Sequence, residues 1–247
     1  QDSVSNALAL EALAYGDLSL SMSVSVPLLV AQIISEHGSE EQKGELLPKL
    51  VNGSIFHVGL GINNSLLSTD PYQSDVTAEE NGKEIILNGS KTGVAFANQA
   101  NTFLISASNE SGECNLYFVN KDQEGVTLED KDFMGLKGAP LSQINLSNCK
   151  INASQKLGGH NYSINYEALV DSSRIGMSAL ALGVCQAVLD YVVPYTNERV
   201  AFDEPISNRQ SVAFMVADMA IETEALRLMI YKSSALKDLG EDFHKQA

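Results

Sequence analysis

No tryptophan occurs among the 247 residues, and aromatic side chains of all kinds make up only 6%. An indole stacking contact is therefore excluded anywhere in the chain. Cysteines number three, Cys114, Cys149 and Cys185, far apart and odd in count. They offer neither a metal-ligand spacing nor a disulfide framework, so reducing, cytoplasm-like surroundings are expected. Basic side chains are scarce as well: 16 Lys and Arg stand against 31 Asp and Glu, for a formal charge of −15. Such a chain repels a phosphate backbone, and nucleic acid is not an expected partner. The longest apolar run, about Val24 to Ile34, is too short to cross a bilayer, and no basic-then-apolar leader opens the sequence. No membrane span is expected. Nor is there a phosphate-binding glycine loop, an HExxH or a Gly-x-Ser-x-Gly. His37, His57, His160 and His244 show no metal-like spacing and read as ordinary surface or core groups.

What the chain does have is two kinds of periodicity in three blocks. From Ser3 to Gly53 the pattern is helical: an Ala/Leu-rich stretch to about Tyr15, then an apolar run from about Leu20 to Glu36 carrying Pro27. Ser39 with Gln42 three residues later is a capping box, and predicts a third helix through Leu46, Leu47 and Leu50. Between Ser54 and Gly158 short β-branched and aromatic runs take over, at 55–61, 84–87, 102–107, 115–119 and 143–146. Asn81-Gly82, Asn88-Gly89, Ser111-Gly112 and Glu124-Gly125 punctuate them as turns, a pattern that predicts a sandwich or barrel.

Helical spacing returns from Tyr162, first through Leu169, Leu180, Val184 and Val188, then through Val212, Met215, Met219, Leu226 and Met229. The methionines at that spacing read as core. The segment from Arg199 to Gln210 holds Pro205 and separates the two helices. The expected fold class is α+β with segregated layers: helical residues 1–53, a β-domain at 54–158 and a helical bundle at 159–247. Asp171 and Arg174, three apart on one helix, are by themselves an ordinary i, i+3 ion pair.

Five strings in this order, HGSEEQKGELLPKLVNG, LNGSKT at 87–92, GLKG at 135–138, DSSRIG at 171–176 and ERVAFDEPISNRQ at 198–210, resemble the acyl-CoA dehydrogenase family. The resemblance covers essentially the whole chain. It implies an α-helical N-domain, a β-barrel-like middle domain and a C-terminal four-helix bundle, the first and last only partly contained here. Roughly 60 residues before Gln1 and roughly 120 after Ala247 complete the family pattern.

The resemblance also implies a reaction. A Glu carboxylate removes the α-proton of an acyl-CoA while the β-hydrogen leaves as hydride to FAD, giving the trans-2-enoyl thioester and electrons for an electron-transfer flavoprotein. In most members that Glu lies C-terminal to the matched region, so the base is expected beyond Ala247. A few carry it just before the Arg of the D-x-x-R string, and that position here is Ser173. Carried over one at a time, Arg199 matches the arginine that reaches the FAD pyrophosphate of a neighbouring subunit, and Gln210 a second nucleotide contact. Asp171 and Arg174 match the acyl-CoA side.

In the middle domain Asn63-Asn64-Ser65 stands where the family reads T-E-P, and Thr69 and Asp70 fall in its G-S-D; Asn63 and Thr69 are therefore candidate flavin contacts. Gly93-Val94-Ala95 occupies the W-[IV]-[TS] that stacks on and hydrogen-bonds the flavin ring, so Ala95 holds a cofactor position without its hydroxyl. Gly158-Gly159-His160-Asn161 is shorter than the usual Gly-x-Gly segment. Weakened flavin binding is expected, in a homodimer or homotetramer located in a bacterial-type cytoplasm or mitochondrial matrix. Two alternatives stay open: a non-catalytic member serving as partner subunit or acyl-CoA-binding protein, and a nitroalkane-type or hydroxylase-like flavin enzyme on the same scaffold.

Overall fold

The computed structural model describes residues 2–53, 56–64 and 70–247. Three helices open the chain: α1 (Ser3–Gly16), α2 (Leu18–His37) and α3 (Glu40–Asn52). Seven strands follow: β1 (Val58–Gly61), β2 (Thr77–Asn81), β3 (Glu84–Ala95), β4 (Thr102–Ser108), β5 (Cys114–Asn120), β6 (Val126–Lys131) and β7 (Leu141–Asn152). Two long helices, α4 (Tyr166–Glu198) and α5 (Gln210–Asp238), close it, joined through the two-residue strands β8 (Val200–Ala201) and β9 (Glu204–Pro205). The α+β order read from periodicity is the one observed.

By contacts the chain forms two compact units, Met22–Glu167 on one side and Gln1–Ser21 with Ala168–Ala247 on the other. The sheet dominates the first. Its path is β1-β4-β2-β3-β7-β6, with β5 also paired to β4. Strands β2–β3, β4–β5 and β6–β7 pair as antiparallel neighbours in sequence and β3 pairs antiparallel with β7, whereas β1 and β2 each run parallel to β4. Ile85, Leu87, Phe103, Ile105, Tyr117 and Ile144 fill its core. Two strands were not anticipated. Thr77–Asn81 buries only Ala78, and Val126–Lys131 buries no residue fully, so neither shows the apolar signal that marks a strand. Strands β3 and β7 also run past the predicted apolar runs, because their polar halves pair with each other through two register shifts.

Ser39 caps α3 as its spacing implies: its Oγ accepts from Gln42 N at 3.2 Å, and Gln42 Oε1 accepts from Ser39 N at 3.0 Å. Gln42 does more than cap. It donates to Ser154 O and Lys156 O and accepts from Gly158 N, which ties α3 to the segment leaving the sheet.

In the second unit α1 packs along α5. Helix α4 meets α1 at Gly183, where a Cβ would lie 2.2 Å from Glu11 O, so only glycine permits this approach. Arg227 pairs with Glu11, which also accepts from Tyr231 OH at 2.9 Å. The core here is Ala7, Ile175, Ala179, Leu182 and Ile230. Met215 and Met229, read as core residues, are instead exposed, as are Phe214, Ile221 and Leu228. That face of α5 has no cover among the described residues.

Helices α2 and α4 are long and apolar enough to cross a bilayer by length and composition. The bare run from Val24 to Ile34 is shorter because it omits the flanking helical turns. Both helices bury faces within the folded chain: Val30, Ile33 and Ile34 on α2, Ala179, Leu180 and Leu182 on α4.

Candidate functional site

The candidate residues fall in two places, one on each unit. On the sheet unit, β3 bulges against β7 between Lys91 and Val94. The bulge puts Gly93 at φ +64°, a left-handed conformation open to glycine and costly for most other residues. A Cβ at Gly93 would lie 3.4 Å from Asn63 Nδ2, so the exposed amide of Asn63 and the bare backbone of Gly93 share one patch of surface. Thr92 N donates to Asn63 O at 3.1 Å and fixes that juxtaposition. Val94 and Ala95 turn into the core and are buried. Ala95 therefore presents no side chain to a ligand. Thr69 lies outside the described residues.

Beneath this patch is a polar cluster that sequence reasoning missed. Lys91 is fully buried, yet its Nζ donates to Asn64 Oδ1 at 2.6 Å, Ser74 Oγ at 2.8 Å and Ile62 O at 3.5 Å. All three acceptors are neutral. Burial pushes the ammonium down to about 8 from its ordinary 10.5, while the Asp75 carboxylate pulls the other way. Lys91 lies beyond the predicted run at 84–87, and nothing local in the sequence marks it as buried.

On the helical unit, Asp171 is buried near the start of α4 and pairs with Arg174 at 3.5 Å. It also pairs with Nδ1 of His244 at 2.8 Å, so the segment after α5 folds back onto α4. His244, read as a scattered histidine, thus belongs with the D-x-x-R pair. Spacing gave no signal for this, since 73 residues separate the partners. Ser173 Oγ bonds Val170 O of its own helix at 2.7 Å and supplies no carboxylate.

Arg199 and Gln210 end one closed loop. Ile206 N donates to Arg199 O at 2.9 Å, β8 and β9 form a hairpin, and Arg209 Nη2 donates to Ala201 O at 3.2 Å. The Arg209 guanidinium also lies 4.8 Å over the Phe202 ring. Both Arg199 and Gln210 are exposed, and Gln210 is the first residue of α5, a helix end with no side-chain cap. A guanidinium and an uncapped helix N-terminus at the two ends of one loop suit an anion. Among the described residues, no group of three or more His, Cys, Asp or Glu is arranged to hold a metal ion.

Comparison with known proteins agrees with this layout. Residues 1–54 match the acyl-CoA dehydrogenase N-terminal domain, 66–149 the middle domain and 165–247 the C-terminal domain. The probable acyl-CoA dehydrogenase YngJ of Bacillus subtilis is 32% identical over 255 residues, covering all of this chain and 67% of its own length. Probable acyl-CoA dehydrogenase FadE25 of Mycobacterium tuberculosis is 31% identical, covering 97% of this chain; the chain spans 63% of that relative. Among solved structures, glutaryl-CoA dehydrogenase from Mycobacterium smegmatis in complex with FADH2 superposes with a TM-score of 0.82 at 27% identity, covering 98% of this chain and 62% of that one. Butyryl-CoA dehydrogenase from Megasphaera elsdenii gives 0.81 at 29% identity, covering 99% and 66%.

Proposed function

This chain belongs to the acyl-CoA dehydrogenase family, and on that premise we propose that the protein oxidises an acyl-CoA thioester to its trans-2-enoyl form with FAD as cofactor. The division into residues 1–53, 54–158 and 159–247 is part of the same proposal, as are the roles of Asn63, Thr69, Ala95, Asp171, Arg174, Arg199 and Gln210.

The donor set fits a flavin dinucleotide, though unequally. The observation that carries the reading is the closed loop from Arg199 to Gln210, whose ends offer a guanidinium and an amide beside an uncapped helix N-terminus. These groups would hold the pyrophosphate and nucleotide half of a cofactor bound to a second subunit. On the sheet unit Asn63 offers its amide and Gly93 leaves its backbone open to close approach, while Ala95 contributes neither a hydroxyl nor a face. The bound cofactor supplies a two-electron acceptor for the β-hydrogen.

The chain's own residues would position substrate. The buried Asp171 carboxylate, locked by His244 and Arg174, holds the start of α4 rigid, and the Arg174 guanidinium remains 40% exposed to meet an acyl-CoA oxygen. The α-proton needs a carboxylate base. Ser173 cannot serve, and the proposed base is a Glu outside residues 1–247. Electrons would pass to an electron-transfer flavoprotein. The uncovered apolar face of α5 supports assembly into a dimer or tetramer, working in a reducing, cytoplasm-like compartment.

A second reading has its own observation. Gly93 and Ala95 remove an aromatic face and a hydroxyl from the ring end, which favours a partner subunit or acyl-CoA-binding protein with weak flavin. The test is visible absorbance of the full-length protein before and after FAD is added, then bleaching on adding acyl-CoA. Uptake and bleaching are expected. No flavin at saturating FAD would overturn the enzyme reading and leave the second one standing.

A further inference from the structure

Lys91 is the most completely buried charged side chain in the sheet, and its hydrogen bonds run toward the loop that follows β1. Asn64 is the hub. Its Oδ1 accepts from Lys91 Nζ at 2.6 Å and from Asp75 N at 3.1 Å, while its Nδ2 donates to Gln73 O at 2.6 Å and Asp70 O at 3.3 Å. Ser74, the second acceptor of Lys91, passes its own hydroxyl to Ser106 O at 2.8 Å and accepts from Val76 N at 3.1 Å. One ammonium therefore joins β3, the residue before the candidate flavin contact Asn63, and the backbone leading into β2. Asn63 itself is held from the other side, where its carbonyl accepts from Thr92 N, next to both Lys91 and Gly93.

We propose that Lys91 is a positioning residue: acting through Asn64, it holds Asn63 against the Gly93 bulge, so that the ring-side surface is formed before any cofactor arrives. The proposal rests on the flavin reading above. Its physical basis is that a buried ammonium must satisfy its donors, and the acceptors lie on the loop, so moving the loop strands the charge. Such a device suits a site that has no aromatic face or hydroxyl at Gly93 and Ala95, because preorganisation lowers the ordering cost of binding. The groups facing Lys91 are Asp75 and Cys114 in addition to its three acceptors. Burial raises the Cys114 thiol to about 11, so it stays neutral beside the lysine.

The experiment is a double-mutant cycle in the full-length protein with Lys91→Met, Asn64→Leu and the pair, reading FAD dissociation constants by fluorescence titration. Each single variant is expected to weaken FAD roughly tenfold, and the pair no more than either, since both break one connection. Single variants within twofold of wild type, or a pair whose effect is the product of the two, would overturn the proposal. Amide exchange is the readout that needs no flavin. Lys91→Met should expose Asp75 N–H and Thr92 N–H selectively, with the β4–β5 amides unchanged; uniform acceleration would mean a merely structural lysine. Should either variant fail to fold, Asn64→Asp keeps the shape and adds a charge. It should move the lysine titration to higher pH, seen as a flatter rise of Tm above pH 8, and an unaltered profile would break the Lys91–Asn64 link. If wild type takes up no FAD, the flavin reading fails, while exchange and titration still decide whether the hub exists.

Discussion

Two lysines are buried in the same sheet unit, and they are satisfied in opposite ways. Lys156, 6% exposed, lies 3.2 Å from Glu80 Oε1, which also accepts from Tyr117 OH at 2.9 Å. Lys91, fully buried, has neutral acceptors and a depressed ammonium. The first is a charge neutralised in place. The second keeps its proton against the cost of desolvation, which is tolerable only if its acceptors do not move. Fixed structure can thus be read from a buried charge, and the kind of partner shows where that rigidity is spent: Lys156 fastens the end of the sheet, Lys91 the candidate ligand surface.

Removing the carboxylate is the most severe way to break this contrast. Glu80→Gln leaves Lys156 buried with no counter-charge and should destabilise the protein by about 3 kcal/mol, measured by urea unfolding at pH 7. A loss below about 1 kcal/mol would place Lys156 in the same class as Lys91.

The pH profile sharpens the comparison next. Because the folded-state pKa of Lys91 is lowered, its charge penalises the native state below about pH 8, and the penalty is relieved as pH rises toward the unfolded value of 10.5. Stability should therefore rise from about pH 8. The thiols of Cys114 and Cys149, lifted by burial to about 11, act with the opposite sign once unfolded thiols ionise near 9. The expected result is an upturn of up to about 1 kcal/mol confined to pH 8–9 and absent from Lys91→Met, read from Tm against pH.

A smaller effect is expected at the bulge. Gly93→Ala forces a Cβ into the left-handed region and toward Asn63 Nδ2, at a cost of about 1 kcal/mol. Restoring an aromatic there would incur the same strain, so Gly93→Trp should bind FAD no tighter than wild type unless β3 loses its bulge; a tighter constant with an unchanged amide-exchange pattern would contradict this. The smallest stability change belongs to Arg174→Ala, about 0.5 kcal/mol or less, because His244 keeps Asp171 paired. Weaker acyl-CoA binding with nearly unchanged Tm is the expected outcome by calorimetry. A large fall in Tm with unaltered binding would return the pair to a structural role.

Local rules made some of this legible beforehand. The Ser39 capping box, the turns at Gly82, Gly112 and Gly125, the break at Arg199–Gln210 and the Asp171–Arg174 pair all depend on residues within a few positions of one another, and such signals survive in a one-dimensional pattern. Asn88-Gly89, read as a turn, instead lies inside β3, where Gly89 sits at an irregularity in its pairing with β7. The change of periodicity carried the α+β order, and the ordered strings were enough to indicate the family. Partners that come from far away were not legible. Strand β2 exists because Thr77–Asn81 pairs with β3, not because TAEEN favours a strand; His244 meets Asp171 only because the chain after α5 folds back. The burial of Lys91 went unread for the same reason. A lysine between Ser90 and Thr92 looks solvated in sequence, and only the closure of β1, the Asn64 loop and β4 around it decides otherwise. Sequence fixes what neighbouring residues can do by themselves. The solvation of a side chain depends on every segment that reaches it, and for Lys91 that was settled by the tertiary structure.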